Sequence, residues 1–142
     1  MNDRVPVQVS SAPQAIGPYS QAIKCGNLVY TSGQIALDLK TGQLVSEDVA
    51  VQTRKVLEYL REVLEAVDVG GFGRIVKTTI FLTNLADFAT VNKVYAEFFP
   101  FQPPARSTVQ VAALPRGAKV EIDAVAIFPP PPAMKEISGM ML

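Results

Sequence analysis

The sequence predicts an α+β domain: a mixed β-sheet with two helices packed on one face. Three observations support this. Apolar residues alternate with period two in short runs near both ends and in the middle of the chain. Two longer segments switch to spacings of three and four. The resulting order is strands, helix, strand, helix, strands, without an internal repeat. A chain of 142 residues with 49% hydrophobic residues fits one domain with one core, expected over residues 1–128, followed by a proline-rich tail over 129–142.

Each element has its own signature. Residues 5–9 alternate around Pro6, which suits an edge strand, because proline cannot donate to a ladder. Residues 12–20 contain Pro13, Gly17 and Pro18 and read as a loop. Ile23-Lys24-Cys25 and residues 28–32 flank Gly26-Asn27, the composition of a tight hairpin turn. Val49, Val56, Leu57, Leu60, Val63, Leu64 and Val67 form the apolar stripe of a first helix. Ser46 is its expected N-cap, Glu47 and Asp48 suit its positive end, and Gly70-Gly71 are expected to end it. Residues 75–83 are rich in β-branched side chains and read as a strand. A second helix follows Asn84, with Leu85, Phe88, Val91, Tyr95, Phe98 and Phe99 on its apolar face and Pro100 as its stop. Residues 107–111 and 119–127 are the last strands, joined through Pro115-Arg116-Gly117.

In the last strand Val120, Ile122, Ala124 and Ala126 share one face, and Glu121, Asp123, Val125 and Ile127 share the other. Neither face is purely polar. Since the helices cover only one, the other predicts a homo-oligomer. Pro129 to Pro132 must end the ladder, and the residues beyond are expected to be either a disordered end or an arm on a neighbour, with disorder favoured.

Composition removes whole classes of chemistry. Thirteen basic residues balance 13 acidic ones, so the long-range positive field of a nucleic-acid or anionic-membrane binder is missing. With no histidine there is no Ser/His or Cys/His nucleophile pair and no His-ligated zinc. Acid–base work must come from carboxylates, Lys, Tyr, the thiol or water. One cysteine forms no internal disulfide, the first residues lack the apolar core of a signal peptide, and no run approaches the roughly 20 apolar residues of a membrane helix. A cytoplasmic protein is expected.

Four features are candidates for chemistry. Gly70-Gly71-Phe72-Gly73 follows a helix and precedes a strand, the reverse of a phosphate cradle, and reads as a helix stop. Cys25 reads as a small buried hydrophobe. Glu121 and Asp123 share a strand face and suit acid–base work or a hard cation, though Asp123 reads more simply as part of a polar seam at a subunit contact. Arg106 emerges from the stiff Pro103-Pro104 segment where a strand begins. That placement suits two-pronged binding of a carboxylate, although composition alone would read it as a solvated arginine.

Several segments together carry a resemblance. They are Ala15-Ile16-Gly17-Pro18-Tyr19-Ser20-Gln21-Ala22, Thr31-Ser32-Gly33-Gln34-Ile35, Val76-Lys77-Thr78-Thr79, Asp87-Phe88-Ala89-Thr90-Val91-Asn92, and Pro104-Ala105-Arg106-Ser107 followed by Val120-Glu121-Ile122. In this order and spacing the chain resembles the RidA/YjgF family of reactive imine deaminases, over about residues 11–127. The resemblance implies a chorismate-mutase-like fold and a homotrimer whose sheets form a central β-barrel, with one site in each cleft between subunits. It implies hydrolysis of 2-imino acids such as 2-iminobutanoate and 2-iminopropanoate to 2-oxo acids and ammonia, with no metal or organic cofactor; the neutral charge and the lack of an apolar span are what argue against a nucleic-acid or membrane partner.

By the same resemblance Arg106 clamps the substrate carboxylate and Glu121 holds and activates water. Tyr19, Ser32, Gly33, Asn92 and Thr108 line the pocket. Thr108 stands where many active members have Cys; contact through the backbone carbonyl would let Thr serve, without thiol regulation. Other readings stay open: a carboxylate-binding regulator or chaperone without catalysis, a ribonuclease or translation inhibitor, and a chorismate-mutase-like trimer. Neutral charge disfavours the ribonuclease, and the Tyr19, Ser32 and Asn92 constellation disfavours the mutase.

Overall fold

A computed structural model describes residues 3–67 and 69–128. The expectations for the 129–142 tail lie outside them. Six strands form one sheet: β1 (Arg4–Val7), β2 (Ala22–Cys25), β3 (Leu28–Thr31), β4 (Ile75–Leu82), β5 (Ala105–Gln110) and β6 (Val120–Ile127), in the order β1-β2-β3-β6-β4-β5. The β4–β5 pair is parallel and every other pair antiparallel, which makes the sheet mixed as expected. Pro6 sits on the β1 edge, where its missing N–H costs no ladder bond. Gly26, at φ 60°, makes the β2–β3 hairpin turn.

The helices are α1 (Val49–Glu65) and α2 (Phe88–Phe98). Val56, Leu57, Leu60, Val63 and Leu64 of α1 and Val91, Tyr95 and Phe99 at α2 join Ile80, Leu82, Val120, Ile122, Ala124 and Ala126 of the sheet in one core. The β6 alternation holds: Val120, Ile122, Ala124 and Ala126 are buried beneath the helices, and Glu121, Asp123, Val125 and Ile127 are partly exposed on the opposite face. Strand register puts Phe81, Val109 and Tyr30 on that same open face. It is half apolar and, among the described residues, carries no helix.

Several local expectations are corrected. Asp48, not Ser46, caps α1: its Oδ1 accepts from Ala50 N–H at 2.8 Å and Val51 N–H at 3.0 Å, a cap worth about 1 kcal/mol. Ser46 instead accepts from Asp48 N–H at 3.0 Å, one step upstream. The helix stops at Glu65, before the glycines, and Gly70 and Gly71, at φ 94° and 99°, turn the chain into β4. A short 3₁₀ turn, Leu85–Asp87, precedes α2, leaving Leu85 and Phe88 exposed rather than in the core. Cys25 is exposed, at the end of β2 beside the hairpin turn.

Candidate active site

The candidate residues fall into two groups on opposite faces of the sheet. The first surrounds Glu121. Gln34 N–H donates to the Ile122 carbonyl at 2.9 Å and Ile122 N–H returns to Gln34 at 3.2 Å, which lays the chain at Gly33 directly against β6. A Cβ at Gly33 would lie 2.3 Å from Oε2 of Glu121, so only glycine leaves the carboxylate in place. Ser32 sits beside it, its hydroxyl donating to the Ser20 carbonyl and its N–H to the Gln21 carbonyl.

Tyr19, 51% exposed, stands at the mouth of a cavity of about 180 Å³ lined also by Ile16, Gly33, Leu37, Pro115 and Glu121. That volume suits a ligand of a few heavy atoms, below the roughly 300–1,000 Å³ of drug-sized pockets. Burial, and then the charge of Asp123 on the same strand face, push the Glu121 carboxyl above its ordinary value. Asp123 is itself raised by burial, against the pull of Thr79 and Lys77. A carboxylate raised in this way is a stronger base than a solvated one.

The loop holding Tyr19 owes its shape to Gln21, which composition gave no reason to single out. Its buried amide accepts from Val9 N–H at 2.6 Å and donates to the carbonyls of Val9 and Pro13 at 3.1 and 2.8 Å. One side chain thereby closes the 9–21 loop.

The second group surrounds Arg106. In the parallel β4–β5 register Arg106 lies opposite Thr78 and Thr108 opposite Ile80, which puts both side chains on the helix side of the edge strand. The Arg106 guanidinium carbon lies 4.9 Å from the Tyr95 ring centre and 5.6 Å from that of Phe88. Cation–π contacts at such distances contribute about 0.5–1 kcal/mol when exposed and about 2 when desolvated. Among the described residues Arg106 makes no ion pair. Asn92 stands on the same stripe of α2, four residues after Phe88 and three before Tyr95. The Thr108 hydroxyl oxygen is shielded from solvent and has no hydrogen-bond partner among the described residues.

Glu121 and Arg106 therefore do not meet within one chain. One strand, β4, separates β5 from β6, and the two side chains project from opposite faces. One group offers a base beside a small cavity, and the other a cation whose donors are not taken by a carboxylate. A larger open groove of about 520 Å³, between α1 and residues 38–45, mixes Asp38, Lys40, Arg54, Lys55 and Glu58 and contains none of these residues.

The sequence model described as Endoribonuclease L-PSP matches residues 9–128, which span both groups. The chain belongs to this family, the RidA/YjgF family. RidA relatives share most of its length. It is 52% identical over 126 residues to Protein DfrA of Myxococcus xanthus, covering 87% of this chain and 95% of that protein. It is 46% identical over 124 residues to human 2-iminobutanoate/2-iminopropanoate deaminase, covering 87% and 90%. Among solved structures, Escherichia coli TdcF with bound serine superposes with a TM-score of 0.83 at 42% identity, covering 88% of this chain and 99% of that one. RidA relatives named as deaminases support reactive-intermediate deamination as the activity.

Proposed function

We propose that this RidA protein hydrolyses 2-imino acids such as 2-iminobutanoate and 2-iminopropanoate to 2-oxo acids and ammonia, at a site that Arg106 of one protomer and Glu121 of the next complete together. The observation that carries this reading is the division of the two groups between opposite sheet faces. A substrate with a carboxylate on one carbon and the electrophilic imine on the next needs both at once. The half-apolar open face also requires a cover, and a homotrimer with its sheets closed into a central β-barrel provides one. Residues 1–128 act as one domain in this account, in a cytoplasmic enzyme that needs no cofactor.

Arg106 holds the substrate carboxylate with two parallel N–H bonds, fixing the imine carbon. Asn92 and the Thr108 backbone line the same side, and Tyr19, Ser32 and Gly33 the other. Glu121 accepts a proton from water as the water oxygen bonds to C2 of the protonated imine, and the C=N π pair moves to nitrogen. The carbinolamine then collapses: Glu121 returns its proton to nitrogen, and the C–N bond breaks with its electron pair leaving on ammonia. Glu121 takes the proton of the C2 hydroxyl as the carbonyl forms, and the ammonia carries that proton away as ammonium, leaving Glu121 ionised. The iminium is already electrophilic, so a single carboxylate suffices as the acid–base group.

The test is release of 2-oxobutanoate from the imine generated by threonine dehydratase, with semicarbazide competing for it. Pure protein should accelerate release; no acceleration overturns the reading. A second reading, a carboxylate-binding regulator without turnover, draws on Arg106, which makes no ion pair among the described residues and suffices for an anion without Glu121. Calorimetric binding of 2-oxobutanoate without acceleration would favour it. The ribonuclease activity in the family description finds no support in a chain whose 13 basic and 13 acidic residues cancel.

A further inference from the structure

The proposed reaction leaves Phe88 and Tyr95 without a role, although both rings lie against the one arginine it depends on. Tyr95 is 5% exposed, and its hydroxyl is 2.7 Å from that of Thr78, the β4 residue opposite Arg106. The Tyr95 ring is thus tied to the strand that sets the Arg106 position. Phe88, 39% exposed, stands at the other end of the same α2 stripe.

A guanidinium presents two kinds of surface. Its flat face attracts an aromatic ring, and its N–H donors lie in the plane at the edge. A carboxylate partner would take those donors; a ring takes the face and leaves them. The long arginine side chain otherwise loses rotamer freedom when it grips a ligand, and that loss weakens binding. Rings already in contact remove much of the freedom before the ligand arrives.

We propose that Phe88 and Tyr95, with Thr78 locking Tyr95, are positioning residues that hold the Arg106 guanidinium by its face so that its donor edge stays open for a substrate carboxylate. This rests on the reading of Arg106 as the carboxylate clamp. Phe88 is the informative position, because its exposed ring contributes less to the core than Tyr95 does.

The experiment measures 2-oxobutanoate affinity by calorimetry, kcat and KM in the imine assay, and thermal melting, for wild type, Phe88→Leu, Phe88→Tyr and Tyr95→Phe. Phe88→Leu should weaken 2-oxobutanoate binding about three- to tenfold and raise KM more than it lowers kcat, with melting lowered by no more than a few degrees, as expected when the arginine regains rotamer freedom that binding must then remove. Phe88→Tyr should restore affinity to within about twofold, since it returns the ring. Tyr95→Phe keeps the ring, drops the Thr78 bond, and should fall between them; it also carries the test if Phe88→Leu fails to fold. Affinity and KM of Phe88→Leu within twofold of wild type, or a loss that Phe88→Tyr does not restore, overturn the positioning role. Wild type that binds 2-oxobutanoate without turnover overturns the reaction and leaves this inference to the affinity series. Wild type that does not bind overturns both.

Discussion

The Glu121 side and the Arg106 side are built on different physical principles. Glu121 is placed by backbone: the two-bond bridge between Gln34 and Ile122 brings Gly33 so close that a methyl group would strike the carboxylate. Its proton affinity is set by burial and by Asp123. Arg106 is placed by side chains, with rings on α2 beside an edge strand. A base that must hold one proton gains from a fixed backbone and desolvation, whereas a cation that must release and rebind anions gains from contacts that leave its donors open. The sheet between them keeps the opposite charges apart within one chain, so the two meet only where a neighbouring protomer brings them together.

Substitutions can break this contrast in order of expected effect. Arg106→Ala should lower kcat/KM by about 10²–10³ in the imine assay, since it removes a charge-assisted, two-bond contact and the alignment that goes with it. Arg106→Lys, a point charge without the planar fork, should recover little. Glu121→Gln should lower kcat by about 10²–10³ while leaving 2-oxobutanoate affinity within a few-fold, because it removes the proton acceptor and not the anion clamp. A larger loss of affinity would contradict the division of labour.

Gly33→Ala should act on Glu121 alone. The added Cβ meets a side chain, which can swing away, so the fold survives and the carboxylate moves. A displacement of this size costs about tenfold to a hundredfold in kcat, with a smaller change in melting. Asp123→Asn has the smallest expected effect, on the pH profile. Activity needs the Glu121 anion, and within the chain burial and then the Asp123 charge both disfavour it, while the neighbouring Arg106 would favour it. Removing the Asp123 charge should move the acid limb of kcat/KM to lower pH; an unmoved or higher limb would show that Asp123 does not act on Glu121.

What the sequence made legible was periodic or local. Period-two and period-3.6 patterns located the strands and helices, Gly26-Asn27 the hairpin, and the β6 alternation both sheet faces. The Ser46 and Asp48 choice could not be read, because both are good caps and only the backbone path decides which side chain reaches the first free N–H groups. Phe88 fits the helical stripe by spacing, yet the chain enters α2 through a 3₁₀ turn that leaves it over Arg106 and not in the core. The candidate site residues were all named from sequence. Their separation onto two faces was not, because it depends on the parallel β4–β5 register, a tertiary pairing between segments far apart in the chain.

The central claim, one site shared by two chains, is tested most directly by mixing inactive variants. Arg106→Ala and Glu121→Gln protomers, unfolded together in equal amounts and refolded, should assemble at random. About a quarter of the contacts in a cyclic assembly then join an intact Arg106 to an intact Glu121. The account predicts that activity returns to about a quarter of the wild-type value, although each variant refolded alone stays inactive. A mixture no more active than its parts would contradict it.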